Sequence, residues 1–447
     1  MAISAAFFLV MNSVANSELL VFRKVTVLPM TGKGPLERQT VVVDADRIVA
    51  IGPSNDVVVP DNARIVEAAG KFLIPGLFDM HVHLSKIGET ALPLFTANGV
   101  SSVRDMGSDF DEVSMWRGEI EAGARVGPRI KTPGPIFESA TSVQRMKNER
   151  VVEPVERTRV PVPDAESAPR IVEALAARRV DFIKIRTFAS KDVYFAVAET
   201  AKRLGLPLVG HADHLTSDDL FRAGHLSVEH APLPRFVATT DEERKALFER
   251  FKSRGIVFVP TLVNATESFL VPADRAEAIV NDPEGRIDFR RKYVSEHLLA
   301  DWREQVGERR GPIPDALRRL FEDAQRKLRE LHEAGVRILP GTDAAVLLNY
   351  PGFMLHIELQ RFVELLGMTP EEALLSATRY SAEFLGVDDE VGTIEVGKRA
   401  DLVLLDANPL EEISRTNHIN AVVSRGRFYD KQGIEELLKG VEEAVKQ

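Results

Sequence analysis

Apolar and polar positions change period twice along this chain. From Glu18 to about Phe72, short β-branched runs (Leu19-Leu-Val-Phe22, Val25-Thr-Val-Leu28, Thr40-Val-Val-Val43, Ile48-Val-Ala-Ile51, Ala63-Arg-Ile-Val66) are broken by Thr31-Gly-Lys-Gly34 and Asp44-Ala-Asp46. That pattern predicts a small all-β unit. Strand-like runs then alternate with helical ones. The runs are Phe78–His83, Ser101–Arg104, Arg129–Lys131, Phe182–Ile185, Leu206–Val209, Leu226–Glu229, Ile256–Val259 and Val336–Leu339. Helical spacing covers Ala165–Ala177, Lys191–Leu204, Asp241–Ser253 and Asp315–Ala334. Beyond them, Val391–Leu405 and Ala421–Ser424 return to the β pattern. The tail, Ile434–Val445, has apolar residues at helical spacing with glutamates between, as a packing helix does.

Eight β/α units between two β-rich ends predict an α/β chain: a (β/α)8 TIM barrel over 73–385, with a small discontinuous β-sandwich from 18–72 and 386–432. Residues 1–17 form an N-terminal extension and 433–447 a C-terminal helix. The main rival is a doubly wound open sheet, which no Gly-x-Gly-x-x-Gly or phosphate loop supports. The segment from Phe137 to Pro163 is charged, proline-bearing and weakly periodic. Following the third strand, it is expected to form part of a lid.

Composition narrows the function classes. The 447 residues carry a net charge of -10, which argues against nucleic acid or an anionic membrane as the main partner. Zero cysteines exclude disulfides and thiolate ligands, leaving histidine, carboxylates or modified lysine for any metal. No stretch approaches the roughly 18 apolar residues of a membrane span. The start Met1–Met11 is apolar, and Ser13-Val-Ala15 has cleavage-site character, but the positive region of a secretory signal is missing. Localisation stays open, with the cytoplasm favoured. A small-molecule substrate and a homo-oligomer are expected.

The chemistry gathers at strand ends. Phe72-Leu-Ile-Pro-Gly-Leu-Phe-Asp-Met-His-Val-His83 places His81 and His83 two apart on a strand, so both imidazoles face one side. Exposed strand histidines are common, so the pair alone is a weak signal. Lys184 is more telling, because an apolar strand seldom takes a lysine without a partner for it. Further strands end in His211, in His230 and in Gly341-Thr-Asp343. Separately, His230 reads as a core histidine and Asp343 as a helix cap; His214 and His225 fit capping or packing equally well. In such barrels chemistry sits at the carboxyl ends of the strands, where all six would meet.

Pro75–His83, Gly341-Thr-Asp343 and Gly397-Lys-Arg-Ala-Asp-Leu-Val-Leu404 together resemble the amidohydrolase superfamily, nearest its imidazolonepropionase-related and prolidase-like branch. The resemblance runs from Glu18 onward. It implies a binuclear centre of His81, His83, Lys184, His211, His230 and Asp343, with CO2 converting Lys184 into a bridging carbamate. Two divalent ions are implied, Zn²⁺ suiting imidazole and carboxylate best and Mn²⁺, Co²⁺ or Fe²⁺ being alternatives. It also implies hydrolysis of an amide-type C–N bond by a metal-bridging hydroxide, with Asp343 as proton shuttle.

Specificity is less constrained. Asp213 stands where the prolidase-like enzymes carry a substrate-binding tyrosine. Regular strands would bring Arg186 and Asp213 together at the mouth, Arg186 binding a substrate carboxylate, with His214 nearby. The alternatives are a carboxypeptidase-like dipeptidase, an N-acyl amino acid amidase, a carbamate, urea or lactone hydrolase, and a non-catalytic assembly protein. Intact ligand positions weigh against the last, and Lys184 against a mononuclear deaminase.

Overall fold

A computed structural model describes residues 19–148, 154–230, 240–309 and 311–446. The expected N-terminal extension lies outside them. The first five strands are β1 (Leu20–Val27), β2 (Leu36–Asp44), β3 (Arg47–Pro53), β4 (Arg64–Glu67) and β5 (Phe72–Pro75). Nine more follow: β6 (Leu77–Val82), β7 (Val100–Asp105), β8 (Arg129–Lys131), β9 (Ile136–Ser139), β10 (Arg159–Val162), β11 (Ile183–Ile185), β12 (Leu208–Gly210), β13 (His225–Glu229) and β14 (Val257–Val259). The last three are β15 (Leu402–Leu405), β16 (Ile419–Ser424) and β17 (Arg427–Tyr429).

Strands from both ends of the chain share one eight-stranded sheet, ordered β17-β16-β15-β5-β1-β2-β3 with β4 on β1. Its join is the antiparallel pairing of β5 with β15, register Pro75 to Leu402. All four β15 residues are buried because the strand is covered on both faces. Leu402 and Leu404 enter the small core with Phe22, Val41 and Leu73. Val403 and Leu405 face the main core instead. Each such side chain contributes about 1.5–3 kcal/mol by burial, which binds the termini to the middle of the chain.

The middle is parallel α/β. One ladder is β6-β7-β8 and the other β10-β9-β11-β12-β13-β14. Parallel strands buried on both faces read as apolar runs, and β6, β7 and β11 to β14 are buried almost throughout. Bonds outside the ladders tie them together. Asp181 N–H donates to Thr132 O at 2.9 Å, and Asp343 N–H to His81 O at 2.7 Å. Single bridges pair Phe258 with Ile338 and Val82 with Ala344. The expected strand Val336–Leu339 is thereby reduced to one bridge.

Helices cover this core. Asp315–Glu333 buries Phe321, Ala324, Leu328 and Leu331 along one stripe. Lys431–Ala444 starts two residues before the predicted C-terminal helix of 433–447 and ends at 444. The described residues of the segment expected to form part of a lid hold regular structure: most of β9, the helix Ala140–Asn148 and β10. Its apolar Phe137, Val143, Val155 and Val162 are buried, which is why it folds onto the sheet. Among the described residues no helix is long and apolar enough to cross a membrane.

Candidate metal centre

β6 delivers His81 fully buried, and His83 caps the short helix that follows. Both ring orientations are fixed from behind. His83 Nδ1 lies 3.0 Å from Gly107 O, and a carbonyl can only accept, so Nδ1 carries a proton and Nε2 is turned to the site. His81 Nδ1 lies 2.8 Å from Glu229 Oε2. Burial, followed by the Lys184 charge, lowers the His81 pKa to about 3, so this ring is neutral and donates through Nδ1. Its Nε2 points at Lys184 Nζ, 3.3 Å away.

Asp343 sits opposite these rings. Its Oδ1 is 3.3 Å from His83 Nε2 and 3.6 Å from His81 Nε2, and its Oδ2 is 3.7 Å from His230 Nδ1. One donor atom each of His81, His230 and Asp343 lies within 4.8 Å of the others. The His230 ring centroid is 4.5 Å from that of His81 and 4.8 Å from that of His211. All six residues singled out at strand ends therefore adjoin one another. Two imidazole nitrogens, His83 Nε2 and His81 Nε2, thus converge on one carboxylate oxygen of Asp343 beside His230, a nitrogen and oxygen donor set that fits a divalent ion.

Lys184 is 1% exposed. Burial lowers its pKa to about 8 against the pull of Glu229 and Asp343. Burial also pushes His211 down and His230 well down. Perturbed groups in such number are a mark of functional sites.

The backbone is bent to make the site. His230, Asp343 and Thr261 have φ of 66°, 53° and 49°, a left-handed conformation that non-glycine residues adopt only where surrounding structure enforces it. Before His211, Gly210 has φ 135°, and a Cβ there would lie 1.9 Å from Ile185 O. A Cβ on Gly341 would lie 2.7 Å from that of His81. Each glycine lets a ligand-bearing backbone approach its neighbour.

Sequence reading missed the residues behind the rings. Arg104, fully buried on β7, donates to both Glu229 oxygens at 2.9 Å and to Met80 O at 2.6 Å. Thr261 Oγ1 lies 2.9 Å from His230 Nδ1. Asn264 Nδ2 donates to Asp343 Oδ2 at 2.8 Å, from the head of a short π-helical segment, Asn264–Phe269. The signal for Glu229 was its place beside His230 at the end of an apolar run; Asn264 left none.

The expected meeting of Arg186 and Asp213 does not occur. β11 stops at Ile185 and β12 at Gly210, so neither strand stays regular as far as those residues. Arg186 instead pairs with Glu138 of β9, a fully buried carboxylate that also lies 3.6 Å from Arg159. Asp213 turns back to His211 Nδ1 at 3.7 Å. His214 is exposed in the same turn. His225 is a packed core histidine, bonded to Tyr194 Oη at 3.0 Å and to Ser227 O at 2.8 Å.

The Amidohydrolase family profile matches residues 72–428, and the chain belongs to that family. It is a metal-dependent hydrolase acting on C–N bonds. Imidazolonepropionase from Rhizobium rhizogenes is 24% identical over 397 residues, covering 87% of this chain and 92% of its own. Ochratoxinase from Aspergillus niger is 25% identical over 475 residues, covering 92% and 88%. Among solved structures, a putative prolidase from Bifidobacterium longum superposes with a TM-score of 0.67 at 24% identity, over 95% of this chain and 99% of that one. A prolidase complexed with N-methylphosphonate-L-proline gives 0.66 at 24%, over 92% and 99%.

Proposed function

We propose that this protein hydrolyses the amide-type C–N bond of a small molecule. The observation that carries the reading is the convergence of the His81 and His83 Nε2 atoms on Asp343 beside a buried lysine. His81, His83 and Asp343 would hold one divalent ion and His211 and His230 a second, with Lys184, as its carbamate, shared between them. Carbamate formation needs a neutral amine, which the lowered Lys184 pKa favours. Bound there, the ions supply Lewis acidity and a water of lowered pKa. Zn²⁺ is the first candidate.

The protein's own residues do the rest. Glu229 holds the His81 Nδ1 proton, which keeps Nε2 bare. Asn264 occupies one lone pair of Asp343 Oδ2, leaving the other to take a proton from water and pass it to the leaving amine. The bridges joining β6 to Ala344 and β14 to Ile338 support a closed (β/α)8 barrel, with the shared sheet as a second, discontinuous domain.

The test is elemental analysis of the purified protein with an assay on small amides. Two divalent ions per chain and turnover are expected. Asp343→Asn lowers turnover about 10³-fold with the fold retained. Lys184→Ala loses metal and activity together. A protein that binds no divalent ion, or a Lys184→Ala variant that keeps both, overturns the reading.

Arg186, oriented by Glu138 rather than Asp213, is proposed to bind a carboxylate on the substrate. Arg186→Lys then raises KM for carboxylate-bearing amides about tenfold more than for neutral ones, because the bidentate fork is lost. Equal effects on both classes rule this out.

A further inference from the structure

A cavity of about 270 Å³ opens directly onto His211, His230 and Asp343. Its other side is apolar: Pro260, Leu262, Ala265, Phe269 and Phe321. No charged side chain but Asp343 lines it among the described residues; Gln325 is neutral. The Phe269 and Phe321 rings lie 14° from parallel with centroids 6.0 Å apart, an offset stack. Phe321 is 7% exposed and anchored by its helix, whereas Phe269 is 43% exposed.

The placement of Phe269 follows from the site. It ends the π-helical segment that begins with Asn264, whose amide holds Asp343. π-helical turns are rare and concentrate at functional sites. This one sets the Asp343 anchor and the ring at its two ends. A half-exposed phenylalanine beside a metal-ligand cluster is unsatisfied apolar surface that a ligand's own ring can cover. The volume lies just below the roughly 300 Å³ at which drug-sized pockets begin, so it suits one ring-bearing group rather than a chain of residues.

We infer that the stacked pair Phe269–Phe321 is a specificity slot, and that the natural substrate carries an aromatic or comparably flat apolar group next to the scissile bond. The inference rests on the amide-hydrolase reading and narrows it. Carboxylate recognition by Arg186 and ring recognition by the slot are separate: either holds without the other.

The experiment compares kcat/KM for N-acetyl-L-phenylalanine and N-phenylacetylglycine, which carry the benzyl group on opposite sides of the amide, with that for N-acetylglycine. At least one aromatic amide is preferred by about tenfold or more, and Phe269→Ala reduces that preference about tenfold. Phe269→Tyr retains it. Because Phe321 is buried, Phe321→Leu rather than alanine serves as the second variant, and it also reduces the preference. Calorimetric binding of 3-phenylpropionate, measured without turnover, weakens about tenfold in Phe269→Ala. Amide turnover without aromatic preference, and binding unchanged by Phe269→Ala, overturns the slot and leaves the hydrolase standing. Absent turnover with binding still lost in Phe269→Ala overturns the amide reading and leaves the slot.

Discussion

Arg104 and Arg129 each donate to one carboxylate, Arg104 to Glu229 at 2.9 Å and Arg129 to Asp401 at 2.8 Å. The first pair lies under the candidate metal centre with both side chains at most 1% exposed. The second stands at the start of β8, beside the sheet built from both chain ends, with the arginine side chain 23% exposed. It borders a cavity of about 380 Å³, larger than the one at the histidines. Most charges lining that larger cavity are matched within the chain: Lys131 and Arg117 with Asp181, Arg399 with Glu390, and Arg129 with Asp401. Volume therefore singles out neither end: a cavity of about 620 Å³ beside Asp288, Arg290 and His356 exceeds both. What separates the two ends is the protonation of buried groups. One end holds buried histidines pushed toward the neutral form and a lysine lowered to about 8, and the other holds ion pairs beside a left-handed turn residue, Arg425 at φ 52°.

If that contrast is right, the two pairs answer differently to loss of charge. Glu229→Gln leaves the Arg104 guanidinium buried without its anion and weakens the grip on His81 Nδ1. Stability falls by about 3–5 kcal/mol, as for other broken buried pairs. Affinity for the metal falls about 10–100-fold, because the partner that orients a metal-bound histidine is typically worth that much. Metal titration of the folded variant separates the two effects. A variant that loses stability and keeps its metal affinity makes Arg104–Glu229 a structural pair like the other, and the contrast collapses.

The legibility of these regions in the sequence follows the same division. His81, His83, His211, His230 and Asp343 could be read because each stands at or just past the end of an apolar run, and Lys184 because it interrupts one. Two β-branched segments separated by the whole α/β middle led to the expectation of one discontinuous sandwich, but the β5–β15 join was not read, because Phe72–Pro75 straddles the expected boundary at 72–73. What stayed hidden depends on backbone that leaves its period. Asn264 and Thr261 hold Asp343 and His230 from a π-helical turn and a φ of 49°, neither of which has a residue signature here. Arg186 was assigned to Asp213 by extending β11 and β12 beyond their ends. Its true partner, Glu138, lay in a segment whose apolar residues were too few and too scattered to show a strand.

Asp401 gives the smaller effect and the sharper control. Its Oδ2 accepts from Arg129 Nε at 2.8 Å and its Oδ1 from the Arg425 N–H at 2.9 Å, while its carbonyl accepts from the Gly76 N–H at 2.8 Å. It thus ties β8, the β16–β17 turn and the β5–β6 junction, none of which touches a histidine of the site. Asp401→Asn keeps the shape but turns one acceptor into a donor, aimed either at a guanidinium or at a backbone N–H. One buried hydrogen bond is lost, at about 1–3 kcal/mol. Denaturant unfolding should register that loss, while metal content and kcat/KM stay within twofold of the unsubstituted protein. A fall in metal content here would mean that the sheet junction sets the geometry of β6, and that the two ends of the strands are coupled rather than merely opposite.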